Sequence, residues 1–160
     1  MNDDLARYRN VTVETVIAAR PETVWRALTE DIGAWWPAAF FTGGDEATRR
    51  FLLEAQPGGR MFEDWGDDQG LLWAIVNTVQ RPSLLQIWGM AFPGWGGPGA
   101  SLGSFHLEAD GDRTRLRFTE STFGKVTEAH LQEKEKGWTF LFDLALKAHV
   151  EGRPQPVWQD

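Results

Sequence analysis

Two glutamates are the side chains best placed to do chemistry. In "RMFEDW", Glu63 alternates with Met61 and Trp65, so in an extended segment the three share one face. A carboxylate among apolar neighbours can line a cavity mouth and hydrogen-bond a ligand. Desolvation there would raise its pKa and fit it for general-acid work. The competing reading is a structural ion pair with Arg60 or Arg49, since paired carboxylates are common in folded proteins. Glu120, in "TRLRFTES", is a second acid–base candidate. Other chemistries find less support. His106, His130 and His149 fit no HExxH or other metal-ligand spacing. The chain has no cysteine, which excludes disulfides, thiolate catalysis and cysteine-ligated metals. There is no GxSxG nucleophile signature. The "GDDQG" carboxylates read as a solvated turn. The run "PGWGGPG" lacks the Lys-Ser/Thr of a phosphate loop and precedes a strand rather than a helix. No catalytic residue is assigned, and neither a metal nor a cofactor is expected.

The aromatic residues point elsewhere. Nine Trp and ten Phe stand beside one Tyr. They can be core, or the wall of an apolar pocket. Trp35 and Trp36 are adjacent, so on a helix they point about 100° apart. One is expected in the core and the other at a cavity entrance, with Phe40 and Phe41 extending the patch. Trp73 and Trp88 alternate with small or apolar neighbours and are expected in the cavity wall. Trp95, among glycines and prolines, reads as a lid or as an exposed loop. The expected ligand-binding set is Trp35, Trp36, Phe41, Glu63, Trp65, Trp73, Trp88, Phe118, Trp138 and Phe142.

These residues need elements to hold them. The 160 residues fit one domain, and 42% hydrophobic content can form a sizeable core. A net charge of −7 argues against nucleic acid or an anionic membrane surface as partner. "MNDDLARYRN" is too acidic and too poor in apolar residues for a signal peptide, and no apolar run nears the roughly 18 residues of a membrane span. A soluble, cytoplasmic protein is expected, as monomer or homodimer.

"NVTVETVIAA" alternates as a strand. "RPETVWRALTE" reads as a helix, with Pro21 in its first turn and Val24 and Leu28 one turn apart. "DIGAWWP" allows a second short helix, and "AAFFTGGDEATR" reads as loop. Six strand-like segments follow, over 49–55, 60–65, 71–79, 84–90, 101–109 and 114–121. The last two flank "DGDR", a strong hairpin signal. In that hairpin Phe105, Leu107, Leu116 and Phe118 share a dry face. Ser104, His106, Glu108, Arg115 and Arg117 share a wet one, which gives the outer sheet face to polar residues. A long helix is expected from about Val126 to Glu151, then a loose tail, "RPQPVWQD". The dry sheet face needs a cover, and the long helix is the available one.

Within that helix, Gly137 is out of place, because glycine costs a helix interior about 1 kcal/mol against alanine. A residue without a Cβ lets backbone or ligand come close. Adding a methyl at 137 is therefore expected to be neutral or destabilising.

Five segments together resemble the START-like, helix-grip superfamily (SRPBCC). Within it they are similar to the bacterial proteins related to the activator of heat-shock protein 90 ATPase. The segments are "VTVETVIAARPETVWRALTEDIGAWWP", "PGGRMFEDW", "LLWAIVNTVQRPSLLQIW", "HLEADGDRTRLRFTES" and "GWTFLFDLALKAHVEG". Where the family often has Trp-Gly, this chain has Trp73-Ala74. The resemblance implies an α+β helix-grip fold: a curved antiparallel sheet of about seven strands around a long C-terminal helix, with two short helices after strand 1. It also places Gly137 and Trp138 in the helix that closes the cavity. The function expected is binding of a small apolar molecule in a tryptophan-lined cavity between sheet and helix. The alternatives are a cofactor-free enzyme of the cyclase, aromatase or dehydratase type using a cavity carboxylate, and a co-chaperone-like ATPase activator. Fold alone does not choose among them.

Overall fold

The computed structural model describes residues 7–91 and 97–159. Seven strands form one antiparallel sheet, in the order β1-β7-β6-β5-β4-β3-β2. They are β1 (Arg7–Ile17), β2 (Arg50–Leu53), β3 (Arg60–Gly66), β4 (Gln69–Gln80), β5 (Leu84–Ala91), β6 (Gly99–Asp110) and β7 (Arg113–Gly124). Period-two patterning sets the register. Val11, Val13, Thr15 and Ile17 of β1 are buried while Thr12 and Glu14 are exposed. β1 pairs with β7 without a break from Arg7↔Gly124 to Ile17↔Thr114. In the β6–β7 hairpin, Phe105 lies opposite Phe118 with ring centroids 4.5 Å apart. The turn is closed by Gly111 at φ +64°, a conformation that favours glycine.

Helices α1 (Pro21–Thr29) and α2 (Ile32–Trp35) close one end. Pro21 opens α1 where its missing N–H loses nothing, and Val24, Trp25 and Leu28 are buried. Trp35 Nε1 donates to Ala27 O at 2.8 Å, which locks the two helices together. The following segment is more ordered than its sequence implies. It holds a 3-10 turn over Ala38–Phe40 and a one-turn helix, α3 (Gly44–Ala47). Neither buries a residue, so no apolar period announces them.

The cover is the C-terminal helix. Thr127 caps it by accepting from the His130 N–H, which leaves Val126 buried just outside. α4 (Glu128–Thr139) passes into a π-helical stretch, Phe140–Leu146, and then into α5 (Lys147–Val150). The two halves behave differently. α4 has no buried residue, whereas the π-helical stretch buries Phe140, Leu141, Phe142, Ala145 and Leu146. The second half is driven into the core, while the inner face of the first is only partly buried.

Two expectations need correcting. The tail is anchored: Trp158 packs edge-on against Phe40 and Phe140, at 4.9 and 5.0 Å, with Lys136 Nζ over its ring. An aromatic residue meeting two others outweighs the prolines that made the tail look loose. The outer sheet face is not polar throughout. At the end away from the hairpin turn Tyr8, Phe123, Ala100 and Met90 fall in one cross-strand row, with Leu102 and Trp88 in the next row but one. Tyr8, Phe123, Met90, Leu102 and Trp88 are all exposed.

Candidate functional site

A cavity of about 680 Å³ opens between α4 and the sheet. Its walls are mainly Phe40, Phe41, Met61, Ile87, Phe118 and Leu141, with the indoles of Trp73, Trp138 and Trp158. Gly137 also faces it.

The expected residues separate into three groups. Phe41, Trp73, Phe118 and Trp138 line the cavity. Trp35, Trp36 and Phe142 are buried behind that wall, at 2%, 4% and 1% exposure. Trp36 is therefore core rather than entrance: its ring packs on Phe51, Trp73, Trp138 and Phe142. Trp88 is on the wrong side. Leu85 and Ile87 take the inner face of β5, so Trp88 points outward and is 47% exposed. Apolar residues occupy both parities of "LLQIW", so the side could not be read from the sequence. Trp95 lies outside the described residues.

Glu63 is fully buried, but among the described residues it faces neither the cavity nor a cation. Arg60 pairs with Glu54 and Arg49 with Asp67. Five neutral donors surround Glu63 instead. Oε1 accepts from Thr42 N–H at 2.7 Å and Trp73 Nε1 at 2.9 Å. Oε2 accepts from Gly43 N–H, Thr48 Oγ1 and Trp65 Nε1, each at 2.9 Å. Bulges aim both indoles. Phe62 pairs with Leu72 and Met61 with Ala74, which leaves Trp73 as the extra residue. Trp65 is the extra residue between Asp64 and Gly66. Gly43 must stay small, since a Cβ there would meet the Trp65 ring at 2.5 Å. Burial alone would raise the Glu63 pKa, but the N–H donors of Gly43, Thr42, Trp65 and Trp73 together hold it below the ordinary glutamate value. That suits a fixed anion and not a general acid. Glu63 and Trp65 thus hold the wall from behind.

Glu120 does reach the cavity and is 5% exposed. It accepts from Ser101 Oγ at 2.6 Å, Trp138 Nε1 at 2.7 Å, and Lys134 Nζ at 3.0 and 3.1 Å. Each buried carboxylate therefore fixes an indole of the wall, Glu63 holding Trp73 and Glu120 holding Trp138. Lys134, His130 and Ser101 were not anticipated at the site. The one available signal was helical spacing, which puts His130, Lys134, Gly137, Trp138 and Leu141 on one face.

Gly137 lines the cavity as expected, but not because anything crowds it. Among the described residues a Cβ there would meet a single neighbour, Phe40 Cε1, at 3.4 Å. A methyl fits, so the expected penalty for alanine is not supported by the packing.

The family model for Activator of Hsp90 ATPase homolog 1-like protein matches residues 18–151. The chain belongs to that family. The match spans from the end of β1 to the end of the C-terminal helix, and so includes every cavity wall described above except Trp158. Solved structures agree on the fold of this Activator of Hsp90 ATPase homolog 1-like chain. An uncharacterised protein from Rhizobium leguminosarum is similar at 20% identity and TM-score 0.68, covering 93% of this chain and 98% of that one. The Aha1 dimer from Colwellia psychrerythraea is similar at 21% identity and TM-score 0.64, covering 89% and 96%. CalU16 from Micromonospora echinospora is similar at 19% identity and TM-score 0.61, covering 96% and 86%. No curated protein matches the sequence. Among the described residues, no helix is long and apolar enough to cross a membrane.

Proposed function

We propose that this protein binds a small, largely apolar molecule in the cavity between the sheet and α4. One observation carries the reading: twelve residues of helix lie over the sheet without burying one of them, and the seven that follow bury five. A helix that merely completed a core would bury its inner face throughout. The space left, about 680 Å³, falls in the range of small-molecule sites. Its aromatic walls supply apolar contact. Hydrogen bonds to Glu63 and Glu120 hold two of the indoles in place before a ligand arrives, which lowers the ordering cost of binding.

The enzyme alternative would need a carboxyl group poised to exchange a proton with the ligand. Glu63 has no cavity surface and is held ionised, and Glu120 spends its lone pairs on four hydrogen bonds. One observation favours a second reading in addition to ligand binding, a contact with another protein. The exposed apolar residues at one end of the outer sheet face form a surface on which a second copy or a chaperone could sit.

Native mass spectrometry of protein purified from cells tests the first reading. We expect a fraction of the protein to carry a small molecule that is released on unfolding. Bare protein that also ignores a broad panel of apolar ligands would overturn it.

A further inference from the structure

The cavity has a polar end that binding of a purely apolar molecule would leave unused. The inference drawn from it rests on the cavity reading above and concerns the kind of molecule that fits. The helix face over the sheet changes character along its length. His130 and Lys134, one turn apart, come first, and Gly137, Trp138 and Leu141 follow. Beneath the first pair lie Glu120 of β7 and Ser101 of β6.

The donors and acceptors of this cluster do not balance. Glu120 is saturated, with four contacts from Ser101, Lys134 and Trp138. Lys134 has three N–H groups and directs its nitrogen at the two Glu120 oxygens. None of the described residues accepts a third bond from it, although its side chain is only 13% exposed. His130 Nδ1 is buried with no hydrogen-bond partner among the described residues. Native proteins rarely leave such groups unmade. Lys134 lines the cavity, so a ligand atom can reach its ammonium, whereas His130 Nδ1 is covered. Charge narrows the choice. Glu120 neutralises Lys134, and an anionic head placed at the ammonium would also approach the Glu120 carboxylate. An uncharged oxygen meets no such opposition. Gly137, three residues beyond Lys134, leaves the passage from the polar end to Trp138 open.

We propose that the cavity takes an amphipathic molecule. Its aromatic or hydrocarbon body rests against Phe118, Trp138 and Trp73, and one uncharged oxygen function, a hydroxyl or carbonyl, accepts a hydrogen bond from Lys134 Nζ.

The test uses three probes with one body and different heads: naphthalene, 2-naphthol and 2-naphthoate. Affinities come from calorimetry and from quenching of tryptophan emission. The wild type is expected to bind 2-naphthol about tenfold tighter than naphthalene, the scale of a hydrogen bond to a charged donor. The same margin is expected over 2-naphthoate. Lys134→Met alone leaves Glu120 buried without its cation and can fail to fold. The double variant Glu120→Gln/Lys134→Met removes both charges, and there the preference for the hydroxyl should vanish. Equal binding of naphthalene and 2-naphthol by the wild type would overturn the proposal. So would tighter binding of 2-naphthoate, or a preference that survives in the double variant. Binding of none of the three would overturn the cavity reading itself, and this proposal with it.

Discussion

Replacing Glu63 by Gln changes one oxygen for an NH₂ group and should destabilise the fold sharply, although the side chain keeps its shape. All five partners of Glu63 donate to it. The better amide orientation puts the remaining oxygen at the Oε2 position, where Gly43, Thr48 and Trp65 donate. The NH₂ then confronts Thr42 N–H and Trp73 Nε1, which lay 2.7 and 2.9 Å from Oε1. Two buried donors lose their acceptor and meet another donor. Each such loss costs about 1–3 kcal/mol, so the total is roughly 2–6 kcal/mol. In a domain of this size that lowers the melting temperature by roughly 5–20 °C. Thermal melts by circular dichroism measure it. The loop over residues 42–48, tied to Glu63, should also loosen, and hydrogen exchange at the amides of Thr42 and Gly43 would report that. A Glu63→Gln protein that melts within about 2 °C of the wild type would refute the argument, since two stranded donors cannot cost so little.

The same carboxylate predicts a pH dependence. Its folded pKa lies below the ordinary value of 4.5, so its contribution is complete above that value and is lost as pH falls through the lower folded pKa. The gap in melting temperature between wild type and Glu63→Gln should therefore narrow as pH drops from about 6 to about 3. Gly137→Ala should raise the melting temperature by about 2–4 °C, because helix propensity gains about 1 kcal/mol and, among the described residues, the new methyl meets only Phe40 at 3.4 Å. Trp88→Gln should shift stability by less than about 1 kcal/mol and leave ligand affinity unchanged, since Trp88 is exposed on the outer face.

The strands and the hairpin were legible because a half-buried strand writes its face into period-two alternation, as Val11, Val13 and Ile17 or Phe105 and Leu107 do. The helix face carrying Gly137, Trp138 and Leu141 was legible for the same kind of reason. What could not be read was set by backbone. The donors that enclose Glu63 include the amides of Thr42 and Gly43, which no side-chain pattern reveals. The bulges that turn Trp65 and Trp73 toward it are register shifts with no residue signature. Trp88 was misplaced because its strand is apolar on both parities. The pairing of Lys134 with Glu120 joins residues from a helix and a strand that come together only when the helix packs. The incomplete burial of α4 is likewise a property of packing, although the shift from "EAHLQEKEK" to "FLFDLAL" marks where it ends.

The central claim is that the space under α4 is a binding cavity, and Gly137→Leu allows the most direct test. Leucine at 137 adds bulk beside Phe40 on the face of α4 that lines the cavity. Wild type and variant are titrated with apolar ligands from naphthalene to steroid size, with tryptophan emission and melting temperature read together. The account predicts that at least one ligand shifts the emission of the wild type. At about 100 times its Kd that ligand should add roughly 2.7 kcal/mol of stability. Both effects should be lost or strongly weakened in Gly137→Leu. A wild type indifferent to the whole panel, or a variant that responds as the wild type does, would contradict it.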